Sequence, residues 1–422
     1  MISLQTRRLL KGYNVAKSNK YNLPDFLLIF LLILGLYAFT ALPYSGPLEE
    51  SMAYLQISVF ILFVAITLKF KSVLNLRLRF HNVVVFLWTL FFIFLFSSSF
   101  VFNFQVSSDV KSFFKIFSYF TVVYLFFFAF SKRLYVNKEL FEKLINAILA
   151  IGIFIALSSL LLYFVGNPFN EKYDVTAVGF FAHPNGISHV YTIAIPLLVY
   201  KFYSKKINLL FFIVILFLMF IALLLTLSRA GFIGVFCALM ILAYFRSRAL
   251  FVATSVIVLI LAGTILLEFF TAKGDGSNLS RLLLALTAFQ MISASTQSLL
   301  WGYGVFESLK IFQLEKLFVG SVEVVVDPHN MILLMGIQFG LIVTFLYVGI
   351  IVFILSKAVF KFKRGTNIEF YRIITCFAII VGLLIQSMLE NVIVYPSYVF
   401  MALFLIFLGY LYNFCYEEPD KR

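Results

Sequence analysis

Charged residues are scarce in this sequence. Only 12% of its 422 residues are Asp, Glu, Lys or Arg, whereas a soluble globular protein would have about 25%. Hydrophobic residues make up 63% of the chain, and the mean hydropathy is +1.03. Water cannot solvate so apolar a surface. The composition therefore excludes a soluble protein and predicts that lipid covers most of the molecule.

Cysteine and histidine are also rare. The three cysteines, Cys237, Cys376 and Cys415, lie in or beside apolar segments and show neither a disulfide framework nor metal-binding spacing. The four histidines form no HxxxH pattern. The sequence therefore predicts no metal site and no cofactor. It also has no polar stretch long enough for a second domain, so residues 1–422 are expected to form one polytopic membrane domain.

Long apolar runs are abundant instead. A transmembrane helix needs about 20 such residues to cross about 30 Å of hydrocarbon. We therefore predict an all-α integral membrane protein with about twelve spans. The candidate spans are residues 24–42, 52–68, 83–102, 113–131, 144–165, 187–203, 208–227, 230–245, 249–267, 330–356, 370–389 and 396–414.

The basic residues are distributed unevenly between the connections. Roughly three quarters of the 33 Lys and Arg fall on one side of the twelve-span arrangement. Basic residues accumulate in cytoplasmic loops, so we expect both termini in the cytoplasm. The same rule accounts for the net charge of +14 without nucleic-acid binding.

Two short connections on the opposite, outer side carry polar residues. GFFAHPNG precedes the sixth span, and its His183 and Asn185 could line a cavity, or Asn185 could cap the span. TLSRAG separates spans 7 and 8 and contains Ser228 and Arg229. An ionised arginine at membrane depth costs roughly 2.5–3.5 kcal/mol. We therefore expect Arg229 to face a polar cavity with an anionic partner, the alternative being an arginine that reaches the headgroups.

The third outer connection is long and comprises residues 268–329. Connections of this length are usually functional. Its segment SRLLLALTAFQMI predicts an interfacial helix with Arg281 in the first turn, and Tyr303 lies at a Gly-Tyr-Gly bend. Glu390 and Asn391 follow the eleventh span on the same side; they predict a short turn and could line the same cavity.

The long connection ends in the sequence Asp-Pro-His-Asn. Histidine is suited to proton transfer near neutral pH, and a nearby carboxylate raises its basicity. His329 and Asp327 are therefore candidate catalytic residues, and Asn330 a candidate cavity residue. Helix capping by Asp327 or Asn330 is the alternative. An arginine side chain can donate two parallel hydrogen bonds to a phosphate group. Arg229 and Arg281 together with His329 therefore fit a phosphate-bearing lipid substrate.

Four pieces of this region, in this order, resemble a known group of proteins. They are GFFAHPNG, TLSRAGFIG, the pair SRLLLALTAF and LLWGYG, and HNMILLMGIQFGLIVTFLY. They resemble the bacterial O-antigen polymerase and O-antigen ligase superfamily, Wzy and WaaL. The resemblance covers about residues 179–347 and does not separate the two branches.

The resemblance implies a metal-independent membrane glycosyltransferase of the GT-C type. Such enzymes take glycan from undecaprenyl diphosphate at the periplasmic side of the bacterial inner membrane. By matched position, Arg229 and Arg281 would bind the diphosphate, with Ser228 beside them, and His329 would activate or orient the acceptor hydroxyl. Expected partners are the lipid-linked glycan, membrane lipids and a chain-length regulator.

Three functions are compatible with the sequence. A polymerase for O-antigen or capsule repeat units is favoured slightly, because the long loop has Arg281 alone where some ligases have further arginines. A ligase would use the same donor and transfer the glycan to lipid A–core. A flippase or transporter would place its substrate site near the membrane midplane between two related halves, which the sequence does not indicate.

Overall fold

The fold is helical throughout the part of the chain that the structure, a computed structural model, describes. Those residues are 82–102, 109–166, 184–256, 259, 274–304, 307–315, 328–362, 367–391, 393–394 and 399–416. They contain no β-strand, which confirms the all-α fold class.

The helices are α1 (Val83–Ser97), α2 (Asp109–Val122), α3 (Ser131–Val136), α4 (Lys138–Val165), α5 (Pro184–Tyr203), α6 (Leu209–Leu225), α7 (Arg229–Arg246), α8 (Gly274–Ser293), α9 (Thr296–Trp301), α10 (Glu307–Glu315), α11 (Met331–Lys361), α12 (Ile368–Ser387) and α13 (Val399–Tyr416). Short π-helical segments extend α1 and join α2 to α3.

Six described helical segments are long and apolar enough to cross a membrane. They are Val83–Phe100, Ile116–Val136, Lys138–Val165, Arg229–Arg246, Met331–Lys361 and Ile368–Ser387. Three shorter apolar helices are Leu209–Leu225, Arg281–Ser293 and Phe400–Tyr416. The predicted spans 24–42 and 52–68 lie outside the described residues, as does most of 249–267. The chain is therefore a helical membrane protein, and the count of twelve spans and the GT-C architecture stay predictions.

Asparagine side chains begin many of these helices. At five N-termini the asparagine oxygen accepts a hydrogen bond from a backbone N–H of the first turn. Such a cap satisfies a donor that has no partner inside the helix. It therefore fixes where the helix starts. The five caps are Asn82 for α1, Asn137 for α4, Asn208 for α6, Asn330 for α11 and Asn367 for α12.

A tight turn separates α6 from α7. Leu227 has a positive φ of 53°, a conformation that reverses the chain and that side-chain-bearing residues rarely adopt. Ser228 then caps α7 by accepting a hydrogen bond of 3.3 Å from the Gly231 N–H. The division of this apolar stretch into two helices is therefore confirmed, and Arg229 lies at a helix end rather than in the middle of a span.

Helix α11 is interrupted at Gly340, where φ is 78° and ψ is 175°. The loop that follows α9 packs against α11 at this interruption. Tyr303 N donates to the Ile337 carbonyl at 2.8 Å, and Gly304 N donates to the Gln338 carbonyl at 2.9 Å. Irregular backbone at membrane depth is tolerated where protein groups satisfy it in this way. A Cβ on Gly340 would lie 2.1 Å from a carbonyl oxygen of α9, so this contact requires glycine.

Helices α7 and α12 approach each other closely through two glycines. A Cβ on Gly234 would lie 3.0 Å from the Gly382 carbonyl oxygen, and a Cβ on Gly382 would lie 2.7 Å from that of Gly234. Small residues permit such close packing between membrane helices, where apolar burial alone gives little attraction. The pair therefore fixes the spacing of α7 and α12.

Polar clusters occupy the two opposite ends of α5 and α12. Near the end of α5 and the start of α12, the side chains of Lys201 and Arg372 are only 8% and 6% exposed, and both pair with Glu142. This is the end that the distribution of basic residues assigns to the cytoplasm. Asn185, at the start of α5, and Glu390, just after α12, lie at the other end.

Candidate functional site

Side chains from three other segments of the chain contact the carboxylate of Glu390. Its Oε1 accepts hydrogen bonds from Asn185 Nδ2 at 2.6 Å and from Arg281 Nη2 at 2.9 Å. Its Oε2 lies 3.4 Å from His329 Nδ1. The carboxylate is 9% exposed, whereas the side chains of Arg281 and His329 are each 38% exposed. The cluster therefore has a buried anion and two groups that reach outward from it.

The side chain of Asn330 holds the His329 segment against the turn that carries Glu390. The amide of Asn330 donates to the Met388 carbonyl at 2.8 Å, while its oxygen accepts from the Leu333 N–H as the cap of α11. His329 itself has a positive φ of 49°, which costs of order 1–3 kcal/mol in a residue other than glycine. The surrounding contacts therefore fix the direction in which the histidine points.

Arg229 stands at the start of α7, next to this cluster. It is partly buried, and it is close enough to Arg281 for the two positive charges to repel each other. A cation at a helix N-terminus is also disfavoured by the helix dipole. Arg229 and Arg281 thus bring two guanidinium groups to this region. Guanidinium groups favour an anionic ligand such as a phosphate.

The pKa of Glu390 lies below its ordinary value. Burial of the carboxyl works in the opposite direction, but the hydrogen bond from His329 and the charges of His329 and Arg281 outweigh it. The carboxylate is therefore ionised throughout the physiological pH range. It can orient the imidazole and stabilise its protonated form.

This lowered pKa leads to a prediction about stability. The ionised carboxylate stabilises the folded state fully above the ordinary pKa of a glutamate, and the stabilisation declines as the pH falls through the lowered pKa. Thermal unfolding in detergent should therefore show the largest Tm difference between wild type and Glu390→Gln at neutral pH. The difference should shrink in acid. Glu139→Gln, which changes an exposed glutamate, is the control, and a difference that persists below the lowered pKa would contradict the prediction.

The structure places the predicted site residues in three groups. Arg281, His329 and Asn185 converge on Glu390, with Arg229 and Asn330 beside them. Two further residues have contacts within the protein: the Tyr303 hydroxyl donates to the Met291 carbonyl at 3.0 Å, and the Ser228 hydroxyl caps α7 and donates to Ser188 at 3.0 Å. His183 and Asp327 lie outside the described residues.

A family model matches part of the chain. Residues 214–348 match the family model Wzy_C, described as O-antigen ligase. This segment is therefore similar to the O-antigen ligase family. The match confirms the resemblance to the O-antigen polymerase and ligase superfamily, and it contains Arg229, Arg281 and His329. No curated protein matches the chain at a significant level.

The superfamily match does not extend to two residues of the cluster, Asn185 and Glu390. The sequence indicated that both lie at the outer ends of spans, but it gave no sign that they bond to each other. A lone acid beside an apolar span is the signal that pointed toward Glu390. Its role as a shared acceptor became visible only in the structure.

Among the described residues, no group of three or more His, Cys, Asp or Glu side chains is arranged to hold a metal ion. The cation bonded to Glu390 is the side chain of Arg281, and Arg229 lies near Arg281. Arginines can neutralise a developing phosphate charge. The metal-independent character of the chemistry stays a prediction.

Proposed function

We propose that the protein is a glycosyltransferase that polymerises the repeat units of a bacterial surface polysaccharide. It would transfer a glycan from undecaprenyl diphosphate to a lipid-linked acceptor glycan. The observation that carries the proposal is the convergence of Arg281 and His329 on the carboxylate of Glu390, with Arg229 adjacent. This arrangement supplies an anion-binding group and a proton acceptor at one end of a membrane helix bundle.

The two arginines would bind the diphosphate of the donor. Their positive charges repel each other, and a diphosphate between them would offset that repulsion. Arg281 would exchange part of its contact with Glu390 for a phosphate oxygen. The arginines would then stabilise the negative charge that develops on the leaving group, which is the larger part of catalysis in such sites.

His329 would act on the acceptor. A hydroxyl oxygen of the acceptor glycan attacks the anomeric carbon C1 of the donor, and the bond between C1 and the phosphate oxygen breaks. Undecaprenyl diphosphate leaves with the bonding electrons. The hydroxyl proton passes to Nε2 of His329, because Nδ1 faces Glu390. Glu390 would stabilise the resulting imidazolium.

The proposed location is the periplasmic face of the bacterial inner membrane, with both termini in the cytoplasm. The clusters at opposite ends of α5 and α12 support this assignment, because the end with Lys201 and Arg372 has the cytoplasmic charge pattern. A chain-length regulator is the protein partner that this function would require.

A ligase is the second candidate, because the matching family model is described as O-antigen ligase. A ligase would use the same donor site and the same histidine. It would differ in the acceptor, which would be lipid A–core instead of a second lipid-linked glycan.

Complementation of a strain that lacks this protein and makes the native repeat unit tests the proposal. Wild type should give a ladder of glycolipids on a gel, and Arg229→Ala should reduce it to one repeat on lipid A because the donor diphosphate is no longer neutralised. Lys310→Ala, which removes an exposed basic residue paired with Glu307, is the matched control and should keep the ladder.

Two other outcomes of this experiment would contradict a polymerase. If loss of the protein leaves all glycan on its carrier and none on lipid A, the protein is a ligase. If Arg229→Ala gives the wild-type ladder although the protein is present in equal amount, the proposed donor site is wrong. A transport assay would then test the flippase alternative.

A further inference from the structure

Buried polar side chains connect α5, α7 and α12 directly beneath the site. The hydroxyl of Ser188 on α5 accepts hydrogen bonds from the Ser228 hydroxyl and from Gln386 Nε2, each at 3.0 Å. It donates to the Asn185 carbonyl at 2.8 Å. Ser188 and Gln386 are fully buried, and Ser228 is 2% exposed. One hydroxyl therefore joins three helices inside the apolar core.

The amide of Gln386 is bonded at both ends. Its Oε1 accepts from the Thr192 hydroxyl at 2.8 Å, while its Nε2 donates to Ser188. A buried amide without partners would be costly, and a fully bonded network in a dry environment favours a single arrangement. The network therefore fixes the relative positions of α5 and α12.

Each member of this network lies next to a residue of the proposed active site. Ser228 precedes Arg229 and caps its helix. The carbonyl of Gln386 accepts a hydrogen bond from the Glu390 N–H at 2.9 Å. Ser188 bonds to the backbone of Asn185, whose side chain bonds to Glu390. The arginine and the carboxylate therefore sit on segments that are joined through Ser188.

The contact between α5 and α7 depends on close approach. A Cβ on Gly231 would lie 2.2 Å from the Cβ of Ser188, so the two helices touch at this point with no space for a side chain. The hydrogen bond between Ser188 and Ser228 forms at the same contact. A small displacement of α7 would break this bond and move Arg229 together with its cap.

We propose that Ser188 and Gln386 are positioning residues, which hold Arg229 at the distance from Glu390 that glycosyl transfer requires. Neither reaches the substrate, because both are fully buried. The inference rests on the proposed function, since it assigns the two residues a part in the same reaction. A displacement of about 1 Å in such a site can lower the rate by about 10²-fold.

The test compares Ser188→Ala with wild type in purified protein that transfers glycan between lipid-linked substrates. Alanine fits the contact with Gly231 but removes the bonds to Ser228 and Gln386. We expect kcat to fall by roughly 10- to 100-fold and KM for the donor to rise, because Arg229 would also bind the donor diphosphate. Thr375→Val is the control, because among the described residues its buried hydroxyl bonds only to the Tyr371 carbonyl of its own helix, and kcat should not change.

A double substitution separates positioning from general destabilisation. In an Arg229→Lys background the planar guanidinium with its paired N–H donors is already lost. Adding Ser188→Ala to this background should therefore lower kcat by a much smaller factor than in wild type. Equal factors in both backgrounds would overturn the inference. Gln386→Met, which keeps the chain length and removes the amide, carries the same expectation and replaces Ser188→Ala if that variant does not fold.

The remaining outcomes distinguish this inference from the proposed function. A wild-type protein that transfers no glycan from the lipid-linked donor would overturn the proposed function. An active wild type with kcat unchanged by both Ser188→Ala and Gln386→Met would overturn the positioning role alone. Wild-type activity in Arg229→Lys would overturn both, because no arginine would then need to be positioned.

Discussion

Replacement of His329 by alanine is expected to lower kcat for glycosyl transfer by about 10²- to 10⁴-fold, the usual contribution of a general base. The imidazole is held by a carboxylate at one nitrogen and by an unusual backbone conformation, so among the described residues it is the group placed to accept the proton. KM for the donor should change little, since the arginines form the proposed diphosphate site. Initial rates at several donor concentrations measure both constants.

Two results with His329 variants would contradict this role. One is a kcat within threefold of wild type for His329→Ala. The other is equal activity of His329→Gln and wild type, since glutamine preserves hydrogen bonding but cannot accept a proton at neutral pH. Glu139→Gln is the control. This glutamate is exposed and pairs with Lys143, and its replacement should leave kcat within threefold of wild type.

Glu390→Gln is expected to lower kcat by about 10²-fold, because an imidazole that loses its orienting carboxylate is misplaced or in the wrong protonation state. KM for the donor should fall, because Arg281 would no longer be paired with an anion of the protein. Steady-state kinetics on the purified variant check both expectations. The fall in KM distinguishes this role from a loss of folded protein, which would lower the apparent kcat and leave KM unchanged.

Two further variants make the Glu390 experiment decisive. Glu390→Asp keeps the negative charge but shortens the side chain by a methylene group. The kcat of this variant should lie between those of wild type and Glu390→Gln. Glu307→Gln changes an acid that pairs only with the exposed Lys310 among its described ion pairs and should behave as wild type. A rise in KM with unchanged kcat in Glu390→Gln would show that the carboxylate serves substrate binding and not the histidine.

Much of the fold could be predicted because its signals are local. The separation of α6 from α7 follows from Ser228 and Arg229 in an apolar stretch, and the start of α11 follows from Asn330, which caps it. Arg229, Arg281 and His329 stand out for a similar reason, since each is a polar residue beside long apolar runs. Local patterns of this kind depend only on residues close in sequence.

The connections between these residues could not be predicted. Glu390 is 205 residues from Asn185 and 109 from Arg281, and no periodicity relates positions so far apart. Ser188 and Gln386 look like ordinary polar residues within spans. Their bonding follows from how α5 and α12 pack. The interruption at Gly340 was also missed, because a single glycine in an apolar run gives no indication that another segment docks there.

Under the proposed function, the bond between Arg281 and Glu390 makes the site self-inhibited toward weak anions. A carboxylate of the same chain acts as a tethered competitor, and groups held close by short tethers have effective concentrations on the order of millimolar or above. Chloride or a single phosphate must displace this competitor with few contacts of its own. A diphosphate anchored in the bilayer by its lipid has more contacts and is itself concentrated at the membrane. Under the proposed function, the ion pair between Arg281 and Glu390 would therefore make the site selective for lipid-anchored diphosphates over small soluble anions.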